Sequence, residues 1–331
     1  MQLPSGILTS QQIARLTGTP TLVVGCLNFE ERSLSVPIQF WHQGILQPGI
    51  RLIELADPAG GVPDYTKECA EKLALNRDTL LKAGIRWVPR SGMVMDGETA
   101  LIEHVDDLTK GAPATVILDV TALPKRHFCF YLRRLLANDD IPNVIVTYSE
   151  AGLGGYTTAP LACDVMSPDT FPGFAGSVRH EHTSLIVAVG FEALGLRSLI
   201  MSLQQDIQRD LKILLPFPAP IETVRRQWNT LRAITENDPL NLRRSSIAVI
   251  ATWDTELVYR QVTQWNSADK NISLAPFGPK THTLGMALFA IKYDASLWYT
   301  QPKVYHYNYT VGTGKTWWYA VKWQGIACTD R

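Results

Sequence analysis

The sequence predicts an α/β fold made of two tandem Rossmann-like parallel-sheet halves that are related by internal duplication. Short β-branched runs alternate with helix-like segments, and this alternation stops over a long Gly-, Pro- and Thr-rich stretch before it resumes. Matched motifs also recur in the same order on both sides of that stretch. We therefore expect a first half over residues 1–150, a connecting loop over 151–183, and a second half over 184–331 that ends in an aromatic-rich segment.

The first half contains apolar runs rich in Val and Ile, which are typical of buried parallel strands. They predict strands over 21–27, 50–55, 114–120 and 143–148. The segments between them read as helices, because apolar residues recur there at helical spacing. The predicted helices cover 64–84, 97–110 and 125–139.

The second half shows the same alternation. Strands are predicted over 184–191, 245–253, 272–277 and 296–301. Helices are predicted over 196–214, 222–237 and 254–266, and a further helix-like run follows the strand that ends at residue 277.

Two pairs of motifs support the duplication. "ALPKRH" (122–127) and "FGPKTH" (277–282) each place Pro, Lys and His just ahead of an apolar, helix-like run. A Phe-Glu pair and then Arg-Ser-Leu follow the first strand of each half, within 29–34 and 191–199. The alternative is a pair of α/β sub-domains whose Pro-Lys turns agree by coincidence.

The Pro-Lys-x-His segments have the chemistry of an anion site. Ligands of open parallel sheets bind outside the carboxyl ends of the strands, where backbone N–H groups and the helix dipole favour negative charge. Lys125 and Lys280 add a full positive charge there, and His127 and His282 add a donor or a proton-transfer group. The alternative is an ordinary helix start with Pro in the first turn and with exposed Lys and His.

An acidic residue precedes the first of these turns. Asp119 and Thr121 stand at the end of a strand, where a carboxylate can accept a hydrogen bond from a ribose hydroxyl or orient the lysine. The second half has Leu274 and Pro276 at the matching positions, so a single chemical centre would lie nearer the first half. A helix-capping role for Asp119 is the alternative.

Three further cations are candidate ligand-binding residues. Arg32 and Arg197 follow the first strand of each half, and a guanidinium can hold a phosphate through two hydrogen bonds. Ion pairs with the neighbouring Glu residues are the alternative. Lys315 lies in "VGTGKTWWY" (311–319), which is not a P-loop because Tyr309 stands where the first Gly is required. We expect a Gly-rich hairpin that brings Lys315 toward the same cleft.

Composition excludes several classes of protein. Basic and acidic residues number 31 each, so no global basic field indicates a nucleic-acid binder. Five scattered cysteines fit free thiols in a reducing cytoplasm, and we expect neither a signal peptide nor a transmembrane helix. "GCLNFEERS" (25–33) is not GxGxxG, so no dinucleotide cofactor is expected. "RHEHT" (179–183) lacks an evident third ligand, so no metal is expected.

The segment "DVTALPK" (119–125), together with the duplication, resembles the CARF and SAVED sensor domains of prokaryotic anti-phage systems. The resemblance implies Rossmann-like units that bind cyclic oligonucleotides in a cleft between two halves. Members of that family usually carry a Gly-rich turn, whereas Ala122, Leu123 and Pro124 stand here. The resemblance also implies that any output belongs to a partner protein or to the domain itself.

The sequence thus favours a cytoplasmic nucleotide or oligonucleotide sensor, or a scaffold subunit of a defence complex, with protein partners or as a homo-oligomer. The expected ligand-binding residues are Arg32, Asp119, Thr121, Lys125, His127, Arg197, Lys280, His282 and Lys315. One alternative is an enzyme that cleaves or transfers a phosphoryl or glycosyl group, with His127, His282 or Asp119 as catalytic candidates. Another is a structural subunit whose aromatic C-terminus forms an interface.

Overall fold

The computed structural model describes residues 1–17, 20–45, 49–58, 60–111, 114–192, 194–203, 210–235 and 246–330. The chain divides into two compact units. The first consists of Met1–Ala159 together with Lys303–Arg331, and the second of Pro160–Pro302. No helix in the described part of the chain has the length and apolar character that crossing a lipid bilayer requires.

The first unit contains a five-stranded parallel arrangement in the order β4-β3-β2-β5-β6. The central strands β2 and β5 are buried along their whole length, as their β-branched sequences predict. The elements up to this point are β1 (Ser5–Ile7), α1 (Ser10–Thr17), β2 (Thr21–Cys26), a 3₁₀ turn (Glu31–Leu34), α2 (Ser35–His42), β3 (Ile50–Ala56), α3 (Thr66–Lys82), β4 (Val88–Met93), α4 (Glu98–Thr109), β5 (Thr115–Asp119), α5 (Lys125–Ala137) and β6 (Asn143–Ala151).

The second unit repeats that topology, with five parallel strands in the order β11-β10-β9-β12-β13. The short strand β8 pairs antiparallel with β13. The elements are β7 (Ala162–Val165), β8 (Asp169–Thr170), β9 (His182–Ala188), α6 (Leu196–Leu203), β10 (Leu211–Pro216), α7 (Ile221–Thr235), β11 (Ile247–Ile250), α8 (Thr255–Trp265), β12 (Lys270–Pro276), α9 (Lys280–Tyr293) and β13 (Ser296–Tyr299).

The predicted fold class is confirmed. In each unit the first strand lies between the second and the fourth, so the sheet order is 3-2-1-4-5 both times. The Pro-Lys-x-His segments occupy equivalent places, since each links the fourth strand to the helix that follows it. An internal duplication accounts for this shared order and for the matched motifs.

The C-terminal segment differs from the predicted division of the chain. It contains β14 (Pro302–Tyr305), β15 (Thr313–Trp323) and β16 (Ile326–Ala327). We expected it in the second half, but β15 pairs antiparallel with β6 and with β1, so it extends the sheet of the first unit. Backbone hydrogen bonding to two distant strands decides this placement, and the order of residues along the chain does not indicate it.

Two other local predictions were wrong. The edge strand β4 was not predicted, because its sequence VPRSGM contains no β-branched run. It does contain a Pro, which an edge strand tolerates. The helix predicted over 196–214 ends at Leu203, and 211–216 form strand β10; residues 204–209 lie outside the described part of the chain. The last residues of the helix predicted over 222–237, and the first of the strand predicted over 245–253, also lie outside it.

Candidate functional site

Asp119 and Thr121 lie at the carboxyl end of β5 and are buried. The Thr121 hydroxyl donates to Asp119 Oδ1 at 2.5 Å, and the Thr121 backbone N–H donates to the same oxygen at 3.2 Å. The Thr121 hydroxyl also accepts the backbone N–H of Ser149 at 2.9 Å, which ties the end of β5 to β6. The N-cap residue of α5 is Pro124, where the structure shows no side-chain cap. The two predicted ligand residues therefore brace neighbouring strand ends.

Replacing Thr121 by Val tests this bracing, because Val keeps the shape and removes the hydroxyl. We expect Thr121→Val to lower the free energy of unfolding by about 1–2 kcal/mol, since the Ser149 N–H and the Asp119 carboxylate lose a buried partner. Thr79→Val is the matched control, because the exposed Thr79 hydroxyl bonds only within α3, to the Leu75 carbonyl. Urea denaturation of both variants measures the difference, and equal values for the two would contradict the bracing role.

Arg32 is buried in the first unit, where it binds the chain itself. Its guanidinium pairs with the Glu30 carboxylate at 2.6 Å and donates to the hydroxyls of Tyr309 at 3.0 Å and Tyr148 at 3.2 Å. It also donates to the Ser149 carbonyl at 3.3 Å. Burial by itself would lower the pKa of Arg32, but the Glu30 carboxylate acts together with Tyr309, Tyr148 and Tyr156 against it, and the net shift is upward. The predicted phosphate clasp is thus an internal ion pair, which was the alternative.

The loop between β14 and β15 covers the same edge of the first sheet. Thr310 donates to Glu30 Oε2 at 3.1 Å, and Lys72 donates to the Tyr307 carbonyl at 3.0 Å. The Thr316 hydroxyl lies 2.8 Å from Ser149 Oγ. The strand ends at which we expected a ligand in the first unit therefore bind residues of the C-terminal segment. Sequence reasoning missed this, because the partners are about 280 positions apart.

The first Pro-Lys-x-His segment opens α5, with the Lys125 side chain half-buried in its first turn. Arg126 donates to the Asp96 backbone carbonyl at 2.8 Å. His127 is fully buried and its ring stacks near that of His104, with centroids 6.4 Å apart. Burial lowers the pKa of His127 to about 3, and the neighbouring His104 and Arg126 act in the same direction. His127 is neutral near pH 7 and does not serve as the solvent-facing donor that the sequence suggested.

The second Pro-Lys-x-His segment opens α9 in the same way. Lys280 is half-buried in the first turn, and His282 is fully buried, with Nε2 3.0 Å from the Ala251 carbonyl oxygen. The Thr281 hydroxyl donates to the Thr252 carbonyl, and the Thr255 hydroxyl donates to the Thr281 carbonyl at 2.9 Å. These bonds fasten the start of α9 to the turn that follows β11.

Arg197 and Lys315 are both exposed. Arg197 is the second residue of α6, and Lys315 lies on β15 of the first unit. The structure places neither among the buried contacts that join Arg32, Asp119 and Thr121 through Ser149. Six of the nine predicted residues belong to the first unit, and three, Arg197, Lys280 and His282, belong to the second.

Two exposed aromatic side chains distinguish the carboxyl edge of the second sheet. Phe217 follows β10 and is 54% exposed, and Trp253 follows β11 and is 38% exposed. The Phe217 N–H donates to the Ile250 carbonyl at 2.9 Å, and the Thr252 hydroxyl donates to the Pro218 carbonyl. Because Thr281 also binds Thr252, these aromatic residues share an edge with the first turn of α9. Sequence reasoning missed them, because the run before Phe217 was predicted as a helix and Trp253 was placed at the end of a predicted strand.

The glycines beside this edge show how closely two strand ends approach. Gly190 and Gly278 follow β9 and β12, which are neighbours in the sheet. Later strands are added on one side of β9 up to β11 and on its other side from β12 onward, so the strand order switches between β9 and β12. A Cβ atom at Gly190 would overlap the Phe277 carbonyl oxygen, and one at Gly278 would lie 3.1 Å from Ala188 Cβ. Ligands of open α/β sheets bind at such a switch point. Its geometry, Lys280 and the exposed aromatic residues define the candidate site.

Comparisons with known proteins identify no family for the chain. No protein-family model and no curated protein matches it. A solved structure described as a universal stress protein from Pseudomonas aeruginosa UCBPP-PA14 aligns with a TM-score of 0.27 and 12% identity, over 87% of this chain and 95% of that one. A universal stress protein from Archaeoglobus fulgidus DSM 4304 aligns with a TM-score of 0.26 and 9% identity, over 85% and 96%. The strand order of its own two sheets therefore identifies the chain as an α/β protein with two Rossmann-like units.

Proposed function

We propose that the chain binds a nucleotide or a cyclic oligonucleotide at the carboxyl edge of the second sheet and acts as a ligand sensor in a prokaryotic defence system. One observation carries the proposal: Lys280, at the start of α9, and the exposed rings of Phe217 and Trp253 lie along the same edge of the second sheet. The resemblance of "DVTALPK" to the CARF and SAVED domains supplies the specific class of ligand and the defence setting.

Each part of a nucleotide has a counterpart at this edge. A base can stack on an exposed aromatic ring, and such stacking contributes about 1–3 kcal/mol per base. A phosphate can approach the first turn of α9, where the N-cap residue is Pro279 and the structure shows no side-chain cap. The backbone N–H groups of that turn and the Lys280 ammonium both favour an anion.

The burial of both histidines favours a sensor over the enzyme alternative. A general acid or base must reach the proton that it transfers. His127 and His282 are fully buried, and His282 Nε2 lies against a backbone carbonyl. The aromatic C-terminus that a structural subunit would use contributes Tyr309 and Tyr319 to the buried part of the first unit.

The Lys280→Ala variant tests the proposal. We expect it to weaken nucleotide binding at least about tenfold, because one charge-assisted contact to phosphate contributes on the order of 1.5–3 kcal/mol. Trp253→Ala should weaken binding to a similar extent through lost stacking. Native mass spectrometry against a panel of mononucleotides and cyclic di-, tri- and tetranucleotides identifies the ligand, and calorimetry then measures the affinity.

Lys125→Ala is the matched control, because Lys125 has the same place in the first unit, where the loop between β14 and β15 covers strand ends. It should leave the affinity unchanged. Chromatography of the ligand after incubation separates a sensor, which returns it intact, from an enzyme, which converts it. The proposal fails if no member of the panel binds, or if Lys125→Ala and Lys280→Ala have equal effects.

A further inference from the structure

Three potential metal ligands converge in the first unit, beneath the edge strand β4. They are Asp96 in the loop after β4, His104 on α4 and His127 in the first turn of α5, and their ligand atoms lie within 4.8 Å of one another. His104 Nε2 is 3.4 Å from Asp96 Oδ2. The two imidazole rings are nearly parallel, with an interplanar angle of 12°. We name these three residues the Asp-His-His cluster.

His127 supplies an independent indication that something binds here. Its side chain is 0% exposed, and neither ring nitrogen makes a hydrogen bond of normal geometry within the described residues; the Met93 backbone offers the ring only a weak hydrogen-bonding contact. A buried polar group without a partner costs about 1–3 kcal/mol, so a native fold retains one where it has a use. One of its ring nitrogens lies within 4.8 Å of the ligand atoms of His104 and Asp96, which makes an ion bound between these three atoms the direct explanation.

The surroundings of the cluster hold its ligands in place. The Tyr131 hydroxyl lies 3.2 Å from His104 Nδ1, so a proton on Nδ1 leaves the Nε2 lone pair directed toward Asp96. The Met93 N–H donates to Asp96 Oδ2 at 2.7 Å, and Arg126 holds the Asp96 backbone carbonyl. Such outer contacts orient the ligands of a metal and raise its affinity.

Gly92 keeps open the space beside the ligand atoms. A Cβ atom at this position would lie 2.6 Å from His104 Cε1, 2.9 Å from Asp96 Oδ2 and 3.0 Å from His104 Nε2. Any other residue would therefore press on both ligands from the side of β4. Asp96 is 17% exposed, which gives an ion a route from solvent.

The charges near the cluster are mixed. Arg126 and Arg90 oppose a bound cation, and Arg90 in turn forms ion pairs with Asp107 and, at 4.0 Å, with Glu103. Asp96 contributes the negative charge of the ligand set. Two imidazoles and one carboxylate suit Zn²⁺ and similar divalent transition metals, whereas Mg²⁺ and Ca²⁺ prefer oxygen ligands throughout.

The second unit provides an internal comparison. His282 corresponds to His127, but the helix that packs on it carries Val258 where the first unit has His104. The alignment follows from the equal spacing of the buried residues of the two helices, which are Leu101, His104, Val105 and Leu108 in α4 and Thr255, Val258, Tyr259 and Val262 in α8. His282 instead lies against the Ala251 carbonyl. The duplicated fold alone thus does not require the Asp-His-His cluster.

We propose that Asp96, His104 and His127 bind a divalent transition metal ion, with Zn²⁺ as the best match, and leave a fourth coordination position open to water or an anion. This departs from the sequence expectation of no metal, which considered only "RHEHT" (179–183). It is independent of nucleotide binding, since it concerns the first unit. Three protein ligands and an open position are the arrangement of catalytic rather than structural zinc sites.

The test uses the full chain, from which metal is removed with a chelator before Zn²⁺ or Co²⁺ is added back. We expect elemental mass spectrometry to find one zinc ion per chain. We expect the Co²⁺-substituted protein to show the intense visible bands of tetrahedral coordination. Competition with a chromogenic chelator then measures the affinity for Zn²⁺. Asp96→Asn and His104→Asn should each lower it at least about tenfold, since even outer contacts of metal sites carry effects of 10–100-fold.

Two control variants keep the result interpretable. His282→Asn removes the corresponding histidine of the second unit, and His180→Ala/His182→Ala removes the exposed pair in "RHEHT" (179–183). Both variants should bind Zn²⁺ as the wild type does. Circular dichroism checks that each variant folds. If His104→Asn does not fold, Asp96→Asn alone tests the site, because the Asp96 side chain is partly exposed and its replacement disturbs the core less. Zinc uptake at background level, or equal affinity in folded Asp96→Asn and wild type, would overturn the proposal.

Discussion

Arg32→Ala is expected to lower the free energy of unfolding of the first unit by about 3–5 kcal/mol, because it leaves the buried Glu30 carboxylate without its charge partner. Glu30 and Arg32 are 5% and 4% exposed, so water cannot replace the lost guanidinium. The variant also removes the donors to Tyr148, Tyr309 and the Ser149 carbonyl, which link the C-terminal segment to β6.

Urea denaturation with hydrogen exchange measured by mass spectrometry tests this effect and locates it. Exchange should increase in β2, β6 and β15 of the first unit, while β9, β10 and β12 keep their protection. Arg77→Ala is the control, because Arg77 is 45% exposed in its ion pair with Glu54 and should contribute only about 0–1 kcal/mol. A Glu30→Gln/Arg32→Met double variant should recover part of the loss, since it removes both charges. Equal losses for Arg32→Ala and Arg77→Ala would show that the buried pair does not stabilise the first unit.

Gly190→Ala is expected to destabilise the second unit by about 2–3 kcal/mol, at the upper end of the usual cost of overpacking. The added methyl group would overlap the Phe277 carbonyl oxygen, and backbone cannot move aside as a flexible side chain can. The displaced segment leads through Gly278 and Pro279 into α9, so we also expect nucleotide binding at Lys280 to weaken.

Thermal unfolding and calorimetry measure the two effects of Gly190→Ala. Gly6→Ala is the control, since the nearest atom to its Cβ would be Trp318 Nε1 at 3.4 Å, an ordinary contact. That change should stay within about 0.5 kcal/mol. A Gly190→Ala protein with wild-type stability would show that the ends of β9 and β12 are less closely packed than the structure indicates.

The local predictions that held rest on patterns with a short range. The Val- and Ile-rich runs predicted β2, β5, β6 and β9, because a strand buried on both faces needs continuous apolar residues. The turns "ALPKRH" and "FGPKTH" predicted the starts of α5 and α9, since Pro suits the entry to a helix. The edge strand β4 carried no such pattern, and sequence reasoning missed it.

The candidate residues show where the sequence stopped being informative. Arg and His commonly contact ligands, and the sequence therefore favoured Arg32 and His127 as ligand-binding residues. In the fold, Tyr309 contacts the buried Arg32 and His104 contacts the buried His127, and both contacts come from other elements of the first unit. Phe217 and Trp253 read as ordinary aromatic residues until the bonds of Thr252 placed them beside α9. Exposure depends on every neighbour in space, so a motif alone does not determine it.

By itself, the sequence determined the α/β class, the duplication and the equivalence of Lys125 with Lys280, because periodicity and turn chemistry act over a few residues. The tertiary structure decided that β15 joins the first sheet, that Arg32 is an internal ion pair, and that His127 faces His104 and Asp96. The physical reason is the same in each case. Pairing, burial and ligand geometry depend on contacts between residues far apart in the chain, and only the folded chain brings them together.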